Sequence, residues 1–311
     1  MMQEVKEKIT PTPIDQEEPL PFPFNQRTFC RYEPIEKRIE AIRVLVIDDL
    51  LRDERDLSEM AVEEWGRRAS SHLQRERKIA GLAVANINNN ISRLVRRPET
   101  HVAHVSEITA AVEEFQPQAI VLSGTLRDFD YYHPSIIENF GRFIRATRIP
   151  VLGICGGHQL VGLGFGARVV TLDNMEQHER REGRPFEYQY RFIRIVDATD
   201  PIFEGVADRE SGIWQDYTIE ACILRVWQNH GLQLDHVPEG FRLLATAYFC
   251  RNQMMVKRTD EQLIYTVQFH LEKSFEDWDK TRATRWEHPN ESRDGRIIFE
   301  NFLREALRHG A

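Results

Sequence analysis

The heptapeptide Gly153-Ile-Cys-Gly-Gly-His-Gln159 constrains this chain more than any other stretch. It overlaps the end of an apolar run, Pro150-Val-Leu-Gly-Ile154, and precedes a segment with helical character from about Leu160. A G-x-C-x-G pattern at a strand-to-helix turn has the form of a nucleophile elbow with sulfur as the nucleophile. Such a turn is tight, so the positions flanking Cys155, here Gly153 and Gly157, must be nearly free of side chains. A helix N-terminus beneath the cysteine favours a thiolate over a thiol. The backbone N–H of Gly156 points to where an oxyanion would form.

An elbow needs strands that feed helices, and the chain supplies them. Ala41-Ile-Arg-Val-Leu-Val-Ile-Asp48 reads as a buried first strand, and Ala119–Leu122 and 150–154 repeat the pattern. Helical stretches near 107–115 and 134–147 separate them. This alternation predicts an α/β fold with a mostly parallel central sheet flanked by helices. Chemistry is then expected at the carboxyl ends of the strands. Further strand-like runs lie at Tyr188–Ile195, Cys222–Trp227, Arg242–Phe249 and Leu263–His270, and an amphipathic helix closes the chain around Gly295–Leu303.

Residues 1–38 hold six of the fourteen prolines and no glycine, which predicts an extended or disordered arm. One domain is expected over 39–311. Within it, 51–98 is a long helical insertion after the first strand. Its apolar stripes are Leu57, Met60, Ala61 and Trp65, then Ile79, Leu82, Ala83, Ile87, Ile91 and Leu94. It carries ten basic and seven acidic residues, as a solvated helical hairpin or a docking surface would. Residues 275–293 form a charged, Trp-containing insert.

The chain has 311 residues, 41 Lys+Arg against 49 Asp+Glu, and a formal charge of −8. That acidity argues against nucleic acid as a partner, and no apolar run is long enough to span a membrane. The N-terminus lacks a signal core, and the four cysteines (30, 155, 222, 250) form no CxxC pair, so a reducing cytoplasmic location without disulfides is expected. The Asn-x-Ser triplets at Asn90 and Asn290 then carry no weight as glycosylation sites. His101 and His104 are three apart, but on a run that reads as a strand, so no metal site is expected. No cofactor is called for.

A thiol nucleophile needs a base, and the base an orienting group. Tyr265-Thr-Val-Gln-Phe-His-Leu-Glu272 offers both. In extended backbone, residues 270 and 272 project to one side. Glu272 can therefore hold one nitrogen of His270 while the other faces Cys155. The other cysteines read as inert, and His158 as structural.

Cys155-Gly-Gly-His-Gln159 and Gln268-Phe-His-Leu-Glu272 together resemble the two signatures of the class I, triad-type glutamine amidotransferases. Gln228-Asn-His-Gly-Leu232, followed by Asp235 and Pro238-Glu-Gly-Phe241, is similar to the family's glutamine-site loop. The resemblance implies a flavodoxin-like amidotransferase fold and hydrolysis of the glutamine side-chain amide through a Cys155 thioester. His270 would be the base and Glu272 its orienter. Gln159, Asn229, Gly231 and Leu232 would line the glutamine site, and the N–H groups of Thr125 and Gly156 would form the oxyanion hole. No G-x-x-x-x-G-K-[ST] motif is present, so a separate synthetase or synthase polypeptide is the expected ammonia acceptor. The arm, 51–98 and 275–293 are its natural docking elements.

Two positions depart from the family pattern. Thr125 stands where glycine is usual and resists positive φ, which predicts a hole that is incomplete until a partner or ligand reshapes it. Leu271 replaces the usual proline between His and Glu, which predicts a looser turn. Arg127, Asp128 and Asp130 lie in the same loop as Thr125 and read as holding a partner or covering the pocket. Two other functions fit the residues: a stand-alone γ-glutamyl hydrolase using the same triad, and a catalytically silent binding module.

Overall fold

The computed structural model describes residues 36–206, 223–273 and 293–310. Most of the expected N-terminal arm, nearly all of the charged insert, Cys30 and Cys222 lie outside those residues.

Strand β1 (Ile39–Asp48) shows why the sheet is buried on both faces. Val44 and Val46 point to one side and Leu45 and Ile47 to the other, and all four are fully buried. Unbroken apolar runs of this kind belong to parallel strands covered by helices on both sides. The parallel half of the sheet runs β2 (Val95–His104), β1, β3 (Ala119–Leu122), β4 (Val151–Ile154), β11 (Leu263–Val267). Beyond β11 the sheet continues antiparallel through β10 (Met254–Arg258), β9 (Arg242–Thr246), β6 (Glu187–Ile195) and β7 (Ile223–His230). A separate two-stranded ribbon joins β5 (Val169–Thr171) to β8 (Leu232–Leu234). Among the described residues, four strands are therefore antiparallel additions to a five-stranded parallel core, whose order is that of the flavodoxin-like folds.

On one face, α2 (Ala69–Leu94) and the last helix, α6 (Arg293–His309), pack through Ile87, Ile91, Phe299 and Phe302. Burying each of these side chains is worth about 1.5–3 kcal/mol. On the other face lie α1 (Glu59–Trp65), α3 (Ile108–Phe115), α4 (Pro134–Ala146) and α5 (Gly156–Gly164). Helix α2 serves both layers, since Leu73 packs with the second cluster and Ile87, Ile91 and Leu94 with the first.

The 51–98 segment needs two corrections. Its helix stops at Leu94, because residues 95–98 already pair with β1 as the start of β2. Its buried stripe is Leu73, Ala80, Ile87 and Leu94, while Leu82 is exposed. The expected apolar stripe is one residue out of phase in the first half of α2, where Glu76 and not an apolar side chain takes an inward position. The strand expected to reach Phe249 ends at Thr246, and Tyr248 and Phe249 are exposed in the loop that follows.

Candidate active site

Cys155 sits directly after β4, with φ +51° and ψ −102°. A non-glycine residue in the positive-φ region stores strain, and strain of this sort collects at functional sites. The surroundings impose it. A side chain at Gly153 would meet the carbonyl oxygen of Gly157 at 2.8 Å, and one at Gly157 would meet the Leu122 Cβ at 2.7 Å. Only glycine fits either position, as the elbow pattern requires. Helix α5 begins at Gly156, immediately past Cys155 and not near Leu160. Its first turn therefore points at the sulfur.

β4 and β11 are neighbours in parallel register, with Ile154 opposite Val267. The segments leaving them emerge at the same edge. The N–H of Cys155 donates to the carbonyl of Val267 at 2.7 Å, and the N–H of His270 donates to that of Trp227 in β7 at 2.8 Å. The His270 imidazole is thereby carried to Cys155. A methyl group placed on Gly124 would lie 3.2 Å from His270 Cε1 and 3.5 Å from Cys155 Cβ. Ring and thiol thus border the same small space. His270 Nδ1 donates to Glu272 Oε1 at 2.6 Å. Burial by itself would depress the imidazole, but the Glu272 carboxylate and the Cys155 sulfur outweigh it and raise His270 well above the ordinary histidine value.

Thr125 packs on Gly156 so closely that a Cβ at Gly156 would lie 2.4 Å from the Thr125 backbone nitrogen. Thr125 does so without entering the positive-φ region, so the predicted conflict between threonine and a left-handed backbone does not arise. Gln159, 3% exposed, donates through Nε2 to the Leu232 carbonyl at 3.1 Å and to Gln268 Oε1 at 3.0 Å. Gln268 in turn directs Nε2 at Cys155 Sγ, 3.7 Å away. The chain of contacts Leu232–Gln159–Gln268–Cys155 connects the ribbon strand β8 to the Cys155 sulfur. Asn229 and Gly231 stand at the β7–β8 junction beside it, Asn229 exposed and Gly231 backed by Phe186 and Arg184.

Gln268 has no role that its sequence context announces, although it opens the Gln268–Glu272 motif. Glu187 is likewise silent in the sequence; its Oε2 is 3.1 Å from His230 Nε2 and accepts from Gln253 at 3.2 Å. No local pattern marks that contact. His158 is structural, as expected: it is fully buried, bonded to Thr266 Oγ1 at 2.7 Å, and pushed down to about 3 by burial and by the neighbouring His230. Cys250 is fully buried, and burial drives its thiol far up.

Arg127, Asp128 and Asp130 are engaged within the chain. Arg181 and Arg184 bind Asp128 at 2.9 and 2.7 Å, and Arg181 binds Asp130 at 2.9 Å. These pairs fasten the segment after β5 to the loop that carries Thr125. Arg127 pairs with Glu76 of α2 at 3.0 Å and reaches His72 at 3.0 Å. Among the described residues no group of three or more His, Cys, Asp or Glu side chains could hold a metal ion, and no helix is long and apolar enough to cross a membrane.

A strained cysteine on one strand end, beside a histidine–carboxylate pair on the next, is the geometry a cysteine nucleophile would need, and it sits on a flavodoxin-like sheet. The profile of the glutamine amidotransferase class-I family matches residues 83–285, and the chain belongs to that family. Among its relatives is a glutamine-hydrolysing GMP synthase subunit from Thermococcus kodakarensis, 33% identical over 138 residues (44% of this chain, 56% of the relative). The corresponding protein of Methanothermobacter thermautotrophicus is 26% identical over 220 residues (69% and 90%). The glutamine-hydrolysing GMP synthase of Pyrobaculum aerophilum is 27% identical over 231 residues, 72% of this chain, and the match spans only 36% of that longer protein. The fold is shared with a solved Thermoplasma acidophilum protein provisionally assigned as part of a GMP synthase, at a TM-score of 0.52 and 20% identity, covering 86% of this chain and 96% of that one.

Proposed function

We propose that this chain is a glutaminase that hydrolyses the side-chain amide of glutamine and passes the ammonia to a separate acceptor protein. Cys155 attacks the amide carbon and forms a γ-glutamyl thioester. His270 takes the thiol proton, delivers it to the departing ammonia, and then activates the water that releases glutamate. Glu272 fixes the ring through Nδ1, so that Nε2 serves Cys155. The N–H groups of Gly156 and Thr125 receive the oxyanion. Gln159, Asn229, Gly231 and Leu232 line the glutamine pocket.

One observation carries this reading: the His270–Glu272 pair is delivered by β11 to a positive-φ cysteine at the end of the adjacent strand β4. Membership of the amidotransferase family selects glutamine as the substrate. The relatives named as one subunit of a GMP synthase support a second polypeptide as acceptor. A cytoplasmic setting belongs to the same reading.

The test is release of glutamate and ammonia by the purified chain, alone and with proteins encoded beside its gene. γ-Glutamyl peptides and anilides serve as competing substrates. Glutamine turnover supports the proposal, preference for γ-glutamyl peptides assigns the stand-alone hydrolase, and no turnover with any partner or substrate overturns it.

A further inference from the structure

The turn His270-Leu271-Glu272 is gripped from two sides by helices. On one side Gly295 of α6 leaves room for it: a Cβ there would lie 3.0 Å from Leu271 Cα and 3.3 Å from the Leu271 carbonyl oxygen. Leu271 itself is 2% exposed and belongs to the core cluster. On the other side stands Asn90 of α2, 3% exposed. Its amide nitrogen has two hydrogens. One goes to the Asn86 carbonyl one helical turn earlier, at 3.1 Å, and the other to the Glu272 carbonyl, at 2.5 Å.

That second bond joins positions 182 residues apart and reaches the backbone of the residue whose carboxylate holds His270. A buried amide that lost it would leave a donor and a carbonyl unsatisfied. Without a proline at position 271 the turn has no covalent restraint on φ, so its geometry depends on outside contacts. We propose that Asn90 is a positioning residue for the Glu272–His270 pair: α2 fixes the backbone of Glu272, and so the direction in which the His270 ring is held. This rests on reading Cys155, His270 and Glu272 as the triad. It gives the long helix after β1 a direct mechanical link to the site.

The test compares Asn90→Ala and the uncharged, similarly shaped Asn90→Leu with Ile91→Ala, which truncates the same helix in the core at a side chain that cannot hydrogen-bond to Glu272. Folding of each full-length variant is checked by thermal unfolding. Two readouts follow. In nitrogen NMR of the imidazole, both Asn90 variants are expected to move the His270 titration midpoint down by about one pH unit, because a displaced Glu272 stabilises the imidazolium less. In glutamine hydrolysis, kcat is expected to fall about 10- to 100-fold with KM changed less than about twofold. Ile91→Ala is expected to lower the melting temperature and leave both readouts unchanged. The proposal is overturned if folded Asn90 variants titrate like the parent, or if Ile91→Ala reproduces their shift. A parent chain without glutaminase activity would remove the kinetic readout and the functional reading together, and the titration would still decide the positioning role.

Discussion

Cys155 donates its backbone N–H to the Val267 carbonyl at 2.7 Å, which stitches the Cys155 turn to the strand that leads to His270. The two halves of the site therefore hold their spacing as rigidly as two adjacent parallel strands do. Cys155→Ala is expected to reduce glutamine hydrolysis by roughly three or more powers of ten, as loss of a covalent nucleophile does. A glutamine-like chloroketone should label Cys155 and spare Cys250, whose thiol is fully buried and driven far up by burial. Peptide mapping after labelling checks this, and labelling at Cys250 alone would refute the assignment.

Glu272 is the first favourable influence on His270 once burial has been overcome. Glu272→Gln removes that negative charge, so the imidazolium is stabilised less and the folded-state value must fall. The fraction of protonated His270 at neutral pH drops with it. The expected signature is a His270 titration curve displaced to lower pH, followed by nitrogen NMR of the imidazole from about pH 5 to 10. An unmoved profile would show that Glu272 does not govern the ring.

Gly156→Ala tests the proposed oxyanion hole by volume. The added methyl would lie 2.4–2.5 Å from the Thr125 nitrogen, Oγ1 and Cγ2. Relief requires Thr125 to move away. The expected result is a loss of about 100-fold or more in kcat, in line with removal of one oxyanion donor. Affinity for a non-reactive glutamine analogue should be largely kept.

Glu76 supplies a pH signature in stability. Burial raises it from 4.5 to about 7, against the pull of Arg127 and Arg77. The folded chain holds this proton more tightly than the unfolded chain, so the stabilisation is full below about pH 4.5 and is lost as pH rises through about 7. The swing is about 3 kcal/mol as an upper figure. Urea unfolding at about pH 5 and pH 8 should show a smaller difference for Glu76→Gln than for the parent, and equal differences would exclude Glu76 as the source.

Much of the candidate site was legible because its residue pattern is local. The elbow announces itself through Gly153, Cys155 and Gly157, since a tight strand-to-helix turn excludes side chains within a few residues of itself. The pair His270 and Glu272 is readable for the same reason, two positions apart in one run. The first half of helix α2 misleads because Glu76 faces inward, and inward charge cannot be foreseen without its partner Arg127, 51 residues away. Gln268, Glu187 and Asn90 are hidden on similar grounds. Each acts through a partner more than 40 residues distant, and no periodicity encodes such contacts.

The amino-acid sequence by itself determined the alternating apolar strands, the strained turn at Cys155 and the residue types of a thiol–imidazole–carboxylate set, because these depend on neighbours in the chain. Only the tertiary structure decided that β4 and β11 lie side by side, that Arg181 and Arg184 clasp the Thr125 loop, and that α2 reaches the carbonyl of Glu272. Those relationships follow from how sheet and helices pack across long separations. There the free energy of burial selects an arrangement that no short stretch of residues specifies.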